Sequence, residues 1–431
     1  MTEPLVKTTL PNVLEVRLKE IHTAELVSHW IWYRVGSRNE QPGKTGISHW
    51  VEHMQFKGTQ RFPAGLLDKA ISRDGGSWNA FTYMDWTAYF EKMPAEKIEL
   101  ALQIESDRMV NGLYDPKEVD AERTVVISEL EGLQNDPTYR LDEAVQRASF
   151  SVHPYGGEVI GSEADLRSIQ RDDLYQHYRT YYTPGNAVLA LSGDFEAKAM
   201  LELVRRYYEP IPAAPKIQPV VLQDKPLSSE ERLELSGPGE TTYLQVAYRA
   251  PAADSADFFN MVVLDSLLAG PMSLNMFGGG GISNKTSRLY RALVETELVI
   301  GVSAGLQATI DPFLFNVYCI VNPQHSADEV LTALDHEIQR VQDHRVTHEE
   351  IARAIKQARA LFAYGSEDIT NQGFWLGYSE MFASYDWFQN YVQLLESVTP
   401  DAVQAAAQDY LQQSRRVVGV YRPDEAKGEG A

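Results

Sequence analysis

The sequence predicts two similar α+β halves, each a mainly antiparallel sheet with helices packed on one face. Three observations carry that prediction. The first is size: 431 residues exceed one ordinary core and suit two units of roughly 100–200 residues. The second is a proline-rich stretch at 209–227, whose five prolines break any helix and favour an extended connector. It separates a first half, 1–208, from a second, 228–431. The third is a repeat. Residues 172–182 align with 401–411 as amphipathic helices, and at the same separation the apolar strand 188–191 aligns with 417–420.

The elements upstream agree in order. In the first half, 77–81 and 87–92 have the alternation of strands and precede an amphipathic helix at about 95–109. In the second half, 298–306 and 313–321 take those places before a helix at about 327–342. The shared order of strand, helix, two strands and long helix points to an ancestral duplication. Apolar residues at 44% and charged residues at 23% are enough for two cores. Lys plus Arg number 39 against 60 for Asp plus Glu, a formal charge of −21, so nucleic acid and anionic membranes are poor partners. No apolar run reaches the ~18 residues of a membrane span and the first residues lack a signal-peptide layout, so a cytoplasmic setting is expected. The lone cysteine, Cys319, lies in the apolar run 313–321; it excludes an internal disulfide and reads as a packing residue.

The chemistry concentrates in Gly46-Ile-Ser-His-Trp-Val-Glu-His-Met-Gln-Phe-Lys-Gly-Thr59. His49 and His53 are four apart, which on a helix places both imidazoles on one face, with Glu52 beside them. Two neutral imidazoles so spaced suit a Zn²⁺ at ~2.0–2.1 Å, and the adjacent carboxylate suits a base acting on water. Two helix-face histidines without a ligand are the plainer alternative. The best candidate for a third ligand is Glu129, in a helical pattern at 122–133 whose apolar positions include Val125, Val126 and Leu130. Glu122, two turns earlier on the same face, could orient a ligand; a solvated carboxylate is the alternative reading of Glu129.

From Gly36-Ser-Arg-Asn-Glu40 through His49-Trp-Val-Glu-His53 and Phe56-Lys-Gly-Thr59, the sequence resembles the insulinase/pitrilysin family of zinc metallopeptidases. These are the inverzincins with an H-x-x-E-H motif, and the likeness is to the subfamily containing the mitochondrial processing peptidase β subunit. It covers nearly the whole chain. It implies one Zn²⁺ per chain on His49, His53 and Glu129, Glu122 as an auxiliary glutamate, and Glu52 as the general base that takes a proton from water and passes it to the leaving amine. It also implies that Gly75-Gly-Ser-Trp-Asn-Ala-Phe-Thr82, with Asp85 and Thr87, forms an edge strand on which peptide substrate lies, bound through Asn79, Ala80 and Thr82. An ordinary hairpin edge is the alternative for that strand.

The second half departs from this pattern. The separation that aligns the chain ends sets Gly278, Ile282, Ile351 and Ala358 opposite His49, His53, Glu122 and Glu129, so no second metal site is expected. The run Gly278–Gly281 lacks a following Lys-Ser/Thr, which disfavours nucleotide binding; it resembles the family's glycine-rich substrate loop, or is a connector. Members of the family that act alone carry an Arg and, seven residues later, a Tyr that stabilise the substrate carbonyl; here Val294 and Gly301 stand there, and Arg288, Tyr290 and Arg291 come too early. The resemblance therefore implies a related partner subunit, forming a heterodimer, that supplies Arg and Tyr. His344 and His348 straddle a capping box at Thr347 and Glu350 and read as surface residues. The aromatic run from Phe374 to Phe388 reads as packed core or a subunit contact. The expected function is a zinc endopeptidase subunit acting on peptides or unfolded segments. Its rivals are a non-catalytic assembly subunit of the processing-peptidase type and a zinc-dependent peptide binder.

Overall fold

Runs of β-branched and aromatic residues supply eleven strands among the described residues, set in two sheets. The computed structural model describes residues 5–215, 217–275 and 283–424. The first sheet holds β1 (Leu5–Thr9), β2 (Glu15–Glu20), β3 (Leu26–Tyr33), β4 (Ser77–Thr82), β5 (Thr87–Pro94) and β6 (Ala187–Gly193) in the order β1-β2-β6-β3-β5-β4. Only β2 and β6 run parallel. The second holds β7 (Glu231–Gly237), β8 (Tyr243–Arg249), β9 (Val299–Leu306), β10 (Leu314–Val321) and β11 (Arg416–Pro423) in the order β7-β11-β8-β10-β9. Here only β7 and β11 run parallel. Without β1 the two orders coincide, so the two halves share one topology.

The helices repeat in the same sense. The first half carries α1 (Ile47–Gln55), α2 (Leu66–Arg73), α3 (Ile98–Asn111), α4 (Pro116–Gln134), α5 (Pro137–Ser149), α6 (Glu163–Ser168), α7 (Arg171–Tyr181) and α8 (Ala197–Tyr208). The second carries α9 (Phe258–Leu268), α10 (Ala327–Asp343), α11 (His348–Tyr364), α12 (Ile369–Phe382), α13 (Tyr385–Gln389), α14 (Tyr391–Glu396) and α15 (Pro400–Tyr410). Thr347 caps α11 with Glu350 in a reciprocal box, so His344 and His348 lie on either side of a helix start. Between α8 and β7 the described residues form no helix or strand. No helix among the described residues is long and apolar enough to cross a membrane.

The compact units are not the linear halves. One comprises Met1–Leu130, Gly157–Leu222 and Ser366–Phe388; the other comprises Glu131–Gly156, Gln223–Gly365 and Gln389–Ala431. Each half thus lends one helix to the other half's sheet: α12 lies on β3 and β6, and α5 on β11 and β8. Glycines make the approach possible. A Cβ on Gly377 would stand 2.1 Å from Trp32 Cδ1, and one on Gly373 2.8 Å from Trp30 Cδ1; in the other unit, one on Gly419 of β11 would stand 2.4 Å from Val145 of α5. Strand β3 is therefore covered on both faces. Trp30 and Trp32 meet Phe374 of α12, while Val27, Ile31 and Tyr33 join the core formed with α1, α3, α7 and α8. Double cover explains why β3 is apolar nearly throughout rather than alternating. The sheet predicted to carry helices on one face has this exchanged helix on the other, and the aromatic run of α12 is its core contact. Cys319 is buried and unpaired by any disulfide.

The order of elements also corrects one sequence pairing. The helix that follows β8 as α1 follows β3 is α9, so α9, and not Gly278 or Ile282, stands in the place of His49 and His53. Residues 276–282, including Gly278–Gly281, lie outside the described residues. Helix α9 carries no histidine, and the buried Ile351 and Ala358 do lie on α11, the counterpart of α4.

Candidate metal centre

Helix α1 begins at Gly46, whose φ of 85° is left-handed and whose Cβ, if present, would stand 2.3 Å from the Ile160 carbonyl oxygen. The partly buried carboxylate of Glu40 accepts from the Gly46 and Ser48 amides, each at 2.8 Å, and so caps the helix N-terminus. Ile47, Trp50, Val51 and Met54 are buried, leaving His49 and His53 on the partly open face with ring centroids 4.6 Å apart. Helix α4 faces them. It buries Val119, Val126, Ile127 and Leu130, and Arg123 fixes its position by donating to the Leu166 and Ile169 carbonyls while standing 4.6 Å over the Trp50 ring. Val125, one of the apolar positions of this helical pattern, is 49% exposed.

That arrangement brings the predicted ligands together. Glu129 Oε2 is 3.6 Å from His53 Nε2 and 3.9 Å from His49 Nε2, and the three side chains can offer ligand atoms all within 4.8 Å of one another. A tetrahedral ion with bonds of ~2.0–2.1 Å sets its ligand atoms roughly 3.3 Å apart, so the donor set fits zinc after a small contraction. On its other side, the His53 ring lies with Nδ1 2.8 Å from Glu122 Oε1, which turns Nε2 toward the gap. Lys57 pairs with the second Glu122 oxygen. Among the described residues this is the one group of three or more such side chains that could hold a metal.

The electrostatics suit the same use. Burial, reinforced by the charge of His53, pushes His49 down to about 3, so its imidazole is neutral at physiological pH. Burial also tends to lower His53, but the Glu122 hydrogen bond and the charges of Glu52, Glu122 and Glu129 raise it overall. Burial works to raise Glu122, yet its bonds to His53 and Lys57 keep it below the usual carboxylate range. Glu52 is buried and pushed up to about 7 by desolvation, against the pull of the Thr82 hydrogen bond and His53. A carboxylate poised near neutrality is what a general base needs.

Strand β4 is the edge of the first sheet, bonded only to β5. Asn79 is exposed and its side-chain oxygen accepts from the Ala80 amide at 2.9 Å, so that amide is not spent on β5. Thr82, expected among substrate contacts, has its hydroxyl on Glu52 Oε2 at 2.8 Å and so orients the base. Arg288, which comes too early for the family's arginine, is bound to Glu350 at 2.7 Å, Val294 lies in a short π-helical turn and Gly301 within β9. Glu40 and Lys57 were not singled out from sequence. Glu40 precedes the helix by more than capping-box spacing, and Lys57, four residues after His53, was the one locally visible signal.

Comparison with known proteins adds to this geometry. The sequence model described as insulinase (peptidase family M16) matches residues 15–163, and that of the peptidase M16 inactive domain matches residues 168–358. An uncharacterized zinc protease of Streptomyces coelicolor is 28% identical over 430 residues, covering 97% of this chain and 90% of that protein. A probable mitochondrial-processing peptidase subunit beta of Arabidopsis thaliana is 26% identical over 356 residues, covering 82% and 66%. The crystal structure of a protease from Helicobacter pylori matches with a TM-score of 0.90 at 22% identity, covering 98% of this chain and all (100%) of that one; it shares the fold.

Proposed function

This chain belongs to the insulinase family of peptidases, family M16, and from that premise we propose that it is the zinc-bearing subunit of an endopeptidase cleaving peptides or unfolded segments. The observation that carries the proposal is the convergence of His49, His53 and Glu129 within ligand distance of one ion, next to a buried Glu52 held by Thr82. His49 and His53 would bind zinc through Nε2 and Glu129 through its carboxylate. Bound zinc supplies a Lewis acid that activates water and polarises a carbonyl.

The chain's own groups do the rest. Glu122 holds the His53 tautomer, and Lys57 keeps Glu122 ionised. Glu52 takes a proton from water and returns it to the leaving nitrogen, its affinity matched to neutral pH by burial. An extended substrate adds to the free edge of β4, where the Ala80 amide exchanges its Asn79 partner for the substrate backbone. Arg288 is already paired with Glu350, which supports a partner subunit as the source of the arginine and tyrosine that complete the site.

The test is Glu52→Gln. Zinc binding close to that of the wild type, with hydrolysis of a quenched fluorescent peptide abolished in the presence of the partner subunit, supports the proposal; full activity overturns it. The match of residues 168–358 to an inactive-domain model leaves a structural subunit as the second reading. That match covers none of the metal-binding residues, and a wild-type chain that turns over no peptide with any partner would favour it.

A further inference from the structure

A basic groove stands apart from the metal centre on the same unit. Two adjoining cavities of about 460 and 500 Å³ share Arg61, Asp107, Val110 and Asn111 at the C-terminal end of α3. The first adds Arg171 and the second adds Arg179 and Arg206. Four arginines converging on one groove are conspicuous in a chain of net charge −21.

Two of them, Arg61 and Arg179, are held by neutral acceptors, while Arg171 and Arg206 also meet the carboxylates of Asp172 and Glu99. Arg179 donates to the Val110 carbonyl in the last turn of α3 and Arg171 to the Tyr114 carbonyl in the loop that follows, each at 3.0 Å. Arg171 also meets Asp172 and stands 4.4 Å over the Tyr175 ring. Arg61 donates to Gln103, and Arg206 lies 3.4 Å from Glu99 with its side chain 67% exposed. Each guanidinium has five donors, and these contacts use one or two. The acid inside the groove, Asp107, is occupied by Thr59 and Asn111.

The walls select the occupant. Leu113, 42% exposed, and Val110 line it with Ile211 and Pro212, so apolar side chains fit between the guanidinium groups. A small inorganic anion would engage one arginine or two and leave the apolar wall bare. A long polyanion such as RNA would meet the repulsion of the remaining surface. We propose that this groove docks an acidic segment of a partner protein that carries apolar side chains among its carboxylates, with arginine forks on the carboxylates.

The experiment uses the full chain carrying Glu52→Gln, so that the probe is not cleaved. A fluorescein-labelled twelve-residue peptide of alternating Glu and Leu is titrated by anisotropy beside the same peptide with Gln for Glu, a twelve-nucleotide RNA and inorganic phosphate as competitor. The expected result is binding of the acidic peptide alone, about tenfold weaker in 0.5 M salt and in Arg61→Glu/Arg206→Glu. Should the double variant melt early, Arg206→Ala replaces it, with roughly threefold weakening expected. Absence of binding, binding indifferent to these substitutions, equal binding of RNA, or displacement of the peptide by millimolar phosphate would each overturn the proposal.

Discussion

Glu52→Gln should stabilise the metal-free protein at pH 8 while removing its base. The residue is 7% exposed, and desolvation raises its pKa from 4.5 to about 7. A carboxyl whose pKa is raised on folding holds its proton in the folded state where the unfolded chain has released it. Stability therefore falls as pH rises from the unfolded value toward 7 and stays reduced above it. At ~1.4 kcal/mol per pH unit, the ionised carboxylate costs about 3 kcal/mol above pH 7. Glutamine keeps an oxygen for the Thr82 hydroxyl and carries no charge, so a gain of about 2–3 kcal/mol is expected at pH 8, vanishing near pH 4.5. The assay is urea unfolding at both pH values, followed by tryptophan fluorescence. All seven tryptophans, at 30, 32, 50, 78, 86, 375 and 387, lie in the segments of the first unit, so the signal reports on the unit that holds Glu52. Equal stability of variant and wild type at pH 8, or the same gain at pH 4.5, would refute the reasoning.

Other perturbations probe separate parts of the account. Glu122→Gln removes the carboxylate that orients His53 and should weaken zinc binding by 10–100-fold, read by competition with a chromophoric chelator; unchanged affinity would deny Glu122 that role. Gly377→Ala should destabilise the first unit by about 1–2 kcal/mol, because the new methyl meets the buried Trp32 indole. Gly132→Ala on α4, with nothing within 4 Å of its Cβ, should stabilise by about 0.5–1 kcal/mol, and the opposite signs distinguish packing from propensity. Ala80→Pro deletes an amide that β5 does not use and should lower kcat/KM for peptides at least about tenfold while leaving the melting temperature within a few degrees.

The strands and the ligand pair were legible because they are local. Alternation over 77–81 and 87–92 anticipates β4 and β5 within two residues at each end, and an i, i+4 pair of histidines needs only a helix to share a face. The exchange of α5 and α12 was not legible. The aromatic run of α12 read as packed core or a subunit contact and α5 drew no reading, and nothing local says which sheet a helix will cover; Gly373 and Gly377 were the trace of a close approach. Helix α12 is buried nearly all round, so its periodicity says little about a preferred face. Glu40 escaped notice because its role depends on a turn that brings it back onto α1. The pairing of His49 with Gly278 failed because loop lengths differ between the halves, and a separation fixed at the chain ends does not hold at α1.

The central claim is that His49, His53, Glu129 and Glu52 form one zinc-dependent hydrolytic site. The most direct measurement titrates zinc into metal-free chain mixed with a partner subunit bearing the arginine and tyrosine, while following cleavage of a quenched fluorescent peptide. The account predicts that cleavage rises with zinc, saturates at one ion per chain, and is absent when His53→Ala is titrated in the same way. Zinc bound at one per chain without cleavage, or cleavage that persists without metal, would contradict it.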